Sequence, residues 1–308
     1  DKTPYANQMY LELATLPPMS KALFLQIPND NYIDESLVEY FFIGKKSNYT
    51  KIPITNYDVI DNNIFYTSLS TNIKKKYNGK YKIVEQTFWF GTDRFGRDLL
   101  SRIIYGVRVS IAVGLIAVII SLIIGISLGL IAGFYRGRVD DIIMWFVNVI
   151  WSIPTLLMVI AITLALGKGF WQVFVAVGLT MWVEVARIVR GQVMAIRELE
   201  YVEASKVLAY SPFRIITKHI LPNVIGPVIV ISAANFAAAI LIEAGLSFLG
   251  IGAQPPIPSW GSIIKDHYSY IIMDKAYLAI IPGIAIMLLV LSFMTLGNSL
   301  RDAFDVRD

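Results

Sequence analysis

The chain has 308 residues, of which 56% are apolar and only 16% charged, with 27 Lys and Arg against 23 Asp and Glu for a net charge of +4. A soluble domain carries about a quarter charged residues, and here the apolar residues come in long runs, which points to lipid as the solvent. The absence of cysteine excludes disulfides, thiolate metal sites and Cys nucleophiles, two histidines (His219 and His267) make no His-rich metal site, and the small dispersed charge does not suggest nucleic acid.

Residues 1–88 are rich in Asn, Tyr, Lys, Asp and Thr, with short mixed segments such as Lys51-Ile52-Pro53-Ile54 and Asn63-Ile64-Phe65-Tyr66. They read as a small water-facing module of mixed or β character, with no assignable fold. Residues 89–102 follow as an interfacial segment in which Thr92 or Asp93 can cap a helix and Arg97 and Asp98 can pair locally. Asp93 and Asp98 beside several arginines make a poor cation loop.

From 103 onward the chain reads as an all-α polytopic membrane domain. Spans are expected at 103–133, 141–166, 170–190, 224–250 and 276–298, each near or above the ~20 residues that cross a ~30 Å core. In the first, Ala117, Ser121, Gly125, Gly129 and Gly133 recur every four residues, a stripe over which another helix can approach closely. That helix could belong to this chain or to a partner. Glu184 and Arg187, three apart, read as a local pair. Glu243, deep in a late span, is either a pathway or gate residue or a buried partner for a neighbouring helix.

Alternate connections hold Arg136, Arg138, Arg187, Arg190, Arg197, Lys206, Arg214, Lys218, Arg301 and Arg307, against Lys168, Lys265 and Lys275 on the other side. Ten against three places the first set in the cytoplasm, with the C-terminus inside and residues 1–88 outside. Arg94, Arg97, Arg102 and Arg108, just before the first span, run against that count. A sixth span before Asp1 would deliver the module outside.

The connection at 191–223 is helical and amphipathic through Glu203, Ala204 and Ser205. It breaks near Ala209, Tyr210 and Pro212, and a second short helix is expected to stop before Pro222. On physics alone this could be an ordinary surface loop. Glu203-Ala204-Ser205, then Ala209, then Ile220-Leu221-Pro222, resemble the EAA loop of ABC importer permeases, with Ser205 for the second Ala and Ala209 for the Gly. If that Gly serves a left-handed turn, Ala would strain it by roughly 1 kcal/mol or more, unless the turn sits at Tyr210–Ser211 instead.

A second stretch, Gly91-Thr92-Asp93-Arg94-Phe95-Gly96-Arg97-Asp98, with Glu243–Gly250 and Gln254–Gly261, is similar to C-type permeases of oligopeptide, dipeptide and nickel importers. The resemblance covers about 90–308 and implies a type I ABC importer permease fold in a bacterial inner membrane. It also implies a coupling role for Glu203, Ala204, Ser205, Ala209, Tyr210, Pro212, Leu221 and Pro222. The implied partners are a second permease subunit, two ATP-binding subunits that hold ATP and magnesium, and an external substrate-binding protein. This chain itself would be no enzyme and hold no cofactor, since it lacks a phosphate-binding Gly-x-x-x-x-Gly-Lys-Ser/Thr loop. A nickel or other small-solute importer permease, and a self-sufficient secondary transporter, are the alternatives. The latter would need coupling-ion sites and internal repeats.

Overall fold

The computed structural model describes residues 6–29, 36–44, 47–60, 63–167 and 169–304. Lys168 and Arg307, which enter the sequence reading, lie outside these ranges. The chain divides into two compact units, one of residues 1–109 with 255–284 and the other of residues 110–254 with 285–308.

The first unit contains a five-stranded antiparallel sheet in the order β4-β3-β2-β1-β5. Its strands are β1 (Ser20–Pro28), β2 (Tyr49–Ile60), β3 (Asn63–Ser68), β4 (Lys74–Tyr77) and β5 (Lys82–Phe88), with a short helix α1 (Leu37–Ile43) between β1 and β2. Successive side chains of a strand point to opposite faces, and β1 uses both. Phe24 joins Tyr10, Leu13 and Phe88 in one apolar cluster, while Leu25 joins Ile54, Ile64 and Tyr66 in another. The register shifts between Ile54 and Tyr57, a bulge that re-aims the outer half of β2.

The long helix α2 (Leu99–Tyr135) starts four residues earlier than the expected span because Asp98 caps it, its carboxylate accepting the Ser101 amide at 2.9 Å and the Ser101 hydroxyl. The expected single span at 141–166 is instead two helices, α3 (Gly137–Trp151) and α4 (Thr155–Leu166), meeting at 89° across Ser152-Ile153-Pro154. Proline removes an amide and restricts the residue before it, so the apolar run cannot continue straight. Helix α5 (Phe170–Ile196) runs beyond its expected end at residue 190 and leads to α6 (Glu200–Val207).

The expected stop before Pro222 is also overturned. A turn α7 (Pro212–Ile215) passes through a π turn at Ile216–Ile220 into α8 (Leu221–Phe248) with no break. The wider π turn makes room for the Pro222 ring, and Asn223 donates to the His219 carbonyl at 2.8 Å, satisfying an acceptor near the disturbed ladder. After α9 (Trp260–His267), α10 (Tyr277–Phe304) closes the chain. Among the described residues, four helices are long and apolar enough to cross a membrane, or five spans result if the bent α3–α4 pair counts as one.

Candidate functional site

Helix α6 presents two unlike faces. Val202 and Ser205 are buried, and Val202 joins Val193, Ile196, Ile215, Ile220 and Val224 in one cluster under the segment. The Ser205 hydroxyl donates to the Tyr201 carbonyl at 2.8 Å. The small Ser205 side chain therefore serves inward packing, while Glu203 and Ala204 face out. Exposed apolar residues flank them: Val207 is 86% exposed and Phe213 77%, in a chain with ample core to bury them.

The turn after α6 falls on Ala209. Its φ is +55°, its amide donates to the Lys206 carbonyl at 3.0 Å, and the Tyr210 amide donates to the Ser205 carbonyl at 3.2 Å. This is a Schellman ending in which a left-handed residue at the first position past the helix cap is usually Gly. The turn does not move to Tyr210–Ser211. Tyr210 instead stacks on His219 and lies under the Arg214 guanidinium, 4.0 Å from ring centre to charge. Ser211 caps α7 with Pro212 in its first turn. Asn223 donates to the Tyr201 hydroxyl at 3.2 Å, tying the start of α8 to α6. Leu221 packs against the same apolar cluster as Val202, and Pro222 is exposed. The segment is thus braced against the end of α5 and the start of α8.

The small-residue stripe of α2 faces α5. A Cβ on Gly125 would lie 2.7 Å from the Trp182 carbonyl oxygen, one on Gly129 2.7 Å from that of Ala186, and one on Gly133 2.9 Å from that of Arg190. Ser121 is fully buried on the same line and donates to the Val118 carbonyl at 2.9 Å. Backbone meets backbone here, and a methyl group at any of the three glycines would push α5 away. Glu243 is also buried. The Ser247 hydroxyl, one turn on, donates to it at 2.7 Å and accepts the Ala253 amide at 3.0 Å, which fastens the loop after α8 back onto the helix.

Residues 91–98 form a tight loop that leads into α2, with neither Thr92 nor Asp93 capping a helix. Asp93, fully buried, accepts the amides of Phe95 (2.8 Å) and Arg97 (2.9 Å) and pairs with Arg97 Nε at 2.6 Å, with Arg102 Nε 3.6 Å away. Arg97 therefore pairs with Asp93 and not with Asp98, whose carboxylate caps α2. Burial pushes the Asp98 carboxyl above its ordinary value, although its bonds from Ser101 act the other way. Gly91 and Thr92 anchor the N-terminal segment: the Thr92 hydroxyl donates to the Leu13 carbonyl and accepts the Leu16 amide at 2.8 Å, and the Gly91 carbonyl accepts the Leu99 amide. Gly96, at φ +70°, backs directly onto the Tyr10 carbonyl, so no side chain fits there.

Residues 125–307 match the family described as "Binding-protein-dependent transport system inner membrane component". The chain belongs to this family. It is 43% identical over 217 residues to the dipeptide transport system permease protein of Bacillus subtilis (strain 168), covering 70% of this chain and 68% of that one. It is 39% identical to the glutathione transport system permease of Pectobacterium atrosepticum, over 70% and 72% of the two chains, and 39% identical to the oligopeptide permease of B. subtilis, over 70% and 71%. Among solved structures, the inward-facing MetNI methionine ABC transporter shares the fold at a TM-score of 0.55 with 18% identity, covering 67% of this chain and 97% of that one. The protein is a permease component of an ABC importer.

Sequence reasoning missed how this permease ties the end of α5 to α2 and α3. Arg190 binds Asp140 through two hydrogen bonds, joining α5 to the first turn of α3. Arg197, seven residues on and so on the same face of α5, donates to the Phe134 carbonyl at 2.5 Å near the end of α2. Arg136, at φ +54° between α2 and α3, reaches the Met194 carbonyl at 3.2 Å and Glu198 at 2.6 Å. In the sequence these arginines bear only on topology; the seven-residue spacing of Arg190 and Arg197 is the available signal. Arg187 does not depend on Glu184: its guanidinium lies 3.6 Å over the Trp151 ring.

Proposed function

We propose that this permease forms half of the translocation pathway of an ATP-driven importer of dipeptides or oligopeptides, and that α6 with α7 is the element its ATP-binding subunits engage. The observation that carries this reading is the outward surface of these helices: Glu203, Ala204, Val207 and Phe213 are exposed on a segment otherwise tied down. A partially apolar patch with a charged rim is what a docking surface requires. Peptide as cargo is supported by the names of three relatives, permeases of dipeptide, glutathione and oligopeptide transport systems.

In this reading the pathway is completed by a second permease subunit, and ATP and magnesium sit on two ATP-binding subunits. A substrate-binding protein delivers cargo from outside. Closure of the ATPases moves α6, and the Val202–Val193–Val224 cluster passes that motion to α5 and α8. Ser121, Gly125, Gly129 and Gly133 keep α2 moving with α5 as one body. Glu243, bonded to Ser247, acts as a latch for the loop after α8 rather than as a charge in the pathway.

The C-terminus is cytoplasmic and residues 1–88 are extracytoplasmic, with 89–102 as a collar and 103–308 as the membrane domain. Carboxylates offset part of the Arg94–Arg108 cluster that runs against this orientation: Arg97 and Arg102 lie on Asp93 and Arg94 on Asp266, while Arg108 binds the Phe41 carbonyl. The N-terminal module modulates docking of the binding protein or caps the outer mouth.

The test uses the natural absence of cysteine. Val207→Cys and Phe213→Cys, placed singly in the otherwise native chain, should crosslink to a co-expressed ATP-binding subunit with a short bifunctional reagent. Crosslinking of Asp58→Cys on β2 instead, with none at 207 or 213, contradicts the proposal.

A further inference from the structure

Helix α1 is built to be held in one place. Ser36 caps it by accepting the Glu39 amide at 3.2 Å, and Gly44 ends it at φ +96°. Gly44 abuts the Tyr105 ring so closely that any Cβ would overlap the phenol oxygen. Arg108 donates to the Phe41 carbonyl at 2.8 Å, with its guanidinium 5.4 Å from the Phe41 ring centre and 4.8 Å from that of Tyr105. Seven residues of helix are therefore pinned to the first turns of α2.

The outward side of α1 is apolar. Leu37, Tyr40 and Phe41, at i, i+3 and i+4 and so on one face, are 88%, 46% and 48% exposed. A soluble surface gives no reason to display three such residues together, and Leu and Phe with an amphipathic Tyr beside a membrane entry are the composition of an interfacial helix face.

The depth of that face follows from α2. Arg108 is its last charged residue before Arg136, and the residues between them would span about 40 Å as helix, enough to cross the hydrocarbon core. Arg108 thus marks the headgroup level, where a charged head on an apolar stem settles. It lies on the same helical face as Ile104, Ile111 and Leu115, which are all exposed. Because α1 grips Arg108, it attaches to the row of α2 that faces outward, at the level where that row enters lipid.

We infer that α1 is a membrane-surface anchor, its Leu37, Tyr40 and Phe41 side chains inserted into the headgroup layer of the bilayer beside α2. The inference rests on α2 being a membrane span. It gives the N-terminal sheet a second tether to the membrane besides α2 itself, so the module is held against the lipid surface instead of standing free in water.

Single cysteines at Leu37→Cys and Phe41→Cys, nitroxide-labelled in the full chain reconstituted with its co-purifying subunits in liposomes, test this by collision with oxygen and with a nickel chelate. Asp58→Cys on β2 gives the water reference, and Ile123→Cys, exposed on α2, the apolar reference. At both α1 positions oxygen collisions should exceed, and nickel collisions fall several-fold below, those at position 58. Adding Arg108→Ala should return position 37 toward the water reference, since it releases α1 without touching the exposed face. Nickel access at 37 and 41 equal to that at 58 overturns the anchor. Protection from both reagents also overturns it, because a protein surface then covers the face.

Discussion

Arg190 grips Asp140 with a paired fork, Nε to Oδ1 at 2.5 Å and Nη2 to Oδ2 at 2.6 Å, across two helices fifty residues apart in sequence. The Asp140 side chain is about nine-tenths buried while Arg190 is over a quarter exposed, so water still screens the pair in part. Bidentate geometry nevertheless makes it stronger than a surface bridge. Asp140→Ala should lower stability in detergent by about 1–3 kcal/mol, mostly by leaving the guanidinium unpaired. Thermal unfolding of both single mutants and the double mutant checks it. Additive losses, with no coupling between the two positions, would show that the fork contributes nothing.

Ala209 occupies a left-handed turn at φ +55°, where an L side chain costs about 1–2 kcal/mol and Gly costs none. Gly regains part of that cost as extra freedom in the unfolded chain. Ala209→Gly should therefore stabilise the permease by up to about 1 kcal/mol, seen as a higher unfolding temperature. A lower temperature would mean that the turn depends on the methyl group.

The membrane domain was legible because hydropathy needs only local sequence: each expected span overlaps a helix. What stayed hidden depended on partners far along the chain. Pro154 was visible, but an apolar run on both sides of it concealed an 89° break. Asp93 and Arg97 stood in plain view, yet which carboxylate Arg97 would choose was settled by burial of Asp93 under the N-terminal segment. Arg94, apparently an unbalanced charge before a span, finds Asp266 across 172 positions. The sheet was obscured because only β3 alternates cleanly, burying Ile64, Tyr66 and Ser68. In α6, the sequence marked an amphipathic helix, but the inward turn of Ser205 and the outward turn of Ala204 required the helix phase.

Gly129 and Gly191 separate packing from propensity. Both lie in helix interiors, where Ala is favoured over Gly by about 1 kcal/mol. A Cβ at Gly191 meets nothing within 4 Å, whereas one at Gly129 meets the Ala186 carbonyl at 2.7 Å. Gly191→Ala should be neutral or stabilising, and Gly129→Ala should destabilise by about 1–3 kcal/mol through forced separation of α2 and α5. Equal effects of the two substitutions on unfolding temperature would refute tight packing along the stripe.

His267 is buried with its Nε2 accepting the Arg94 amide at 3.2 Å and its Nδ1 2.7 Å from the Ile263 carbonyl. Burial pushes the imidazole below its usual value, with Arg94 adding to the shift and the Ile263 bond, Asp93 and Asp266 opposing it. A base whose folded value is depressed refuses a proton that the unfolded chain accepts. Stability is therefore full above pH about 6.5 and is lost as pH falls from there toward the folded value. Unfolding temperature should drop between pH 7.5 and 5.5 more in the native chain than in His267→Gln. An identical drop in both would assign the acid sensitivity elsewhere.

The coupling of α6 to ATP hydrolysis is tested most directly by peptide uptake into proteoliposomes holding the assembled importer, its binding protein and ATP, comparing the native chain with Glu203→Arg. The variant should assemble its membrane subunits normally, since Glu203 is exposed and buries nothing. It should lose most of its uptake, with the ATP-binding subunit dissociating or hydrolysing ATP without response to the binding protein. Full ATP-driven uptake by Glu203→Arg, or equal uptake by this chain without any ATP-binding subunit, would contradict the account.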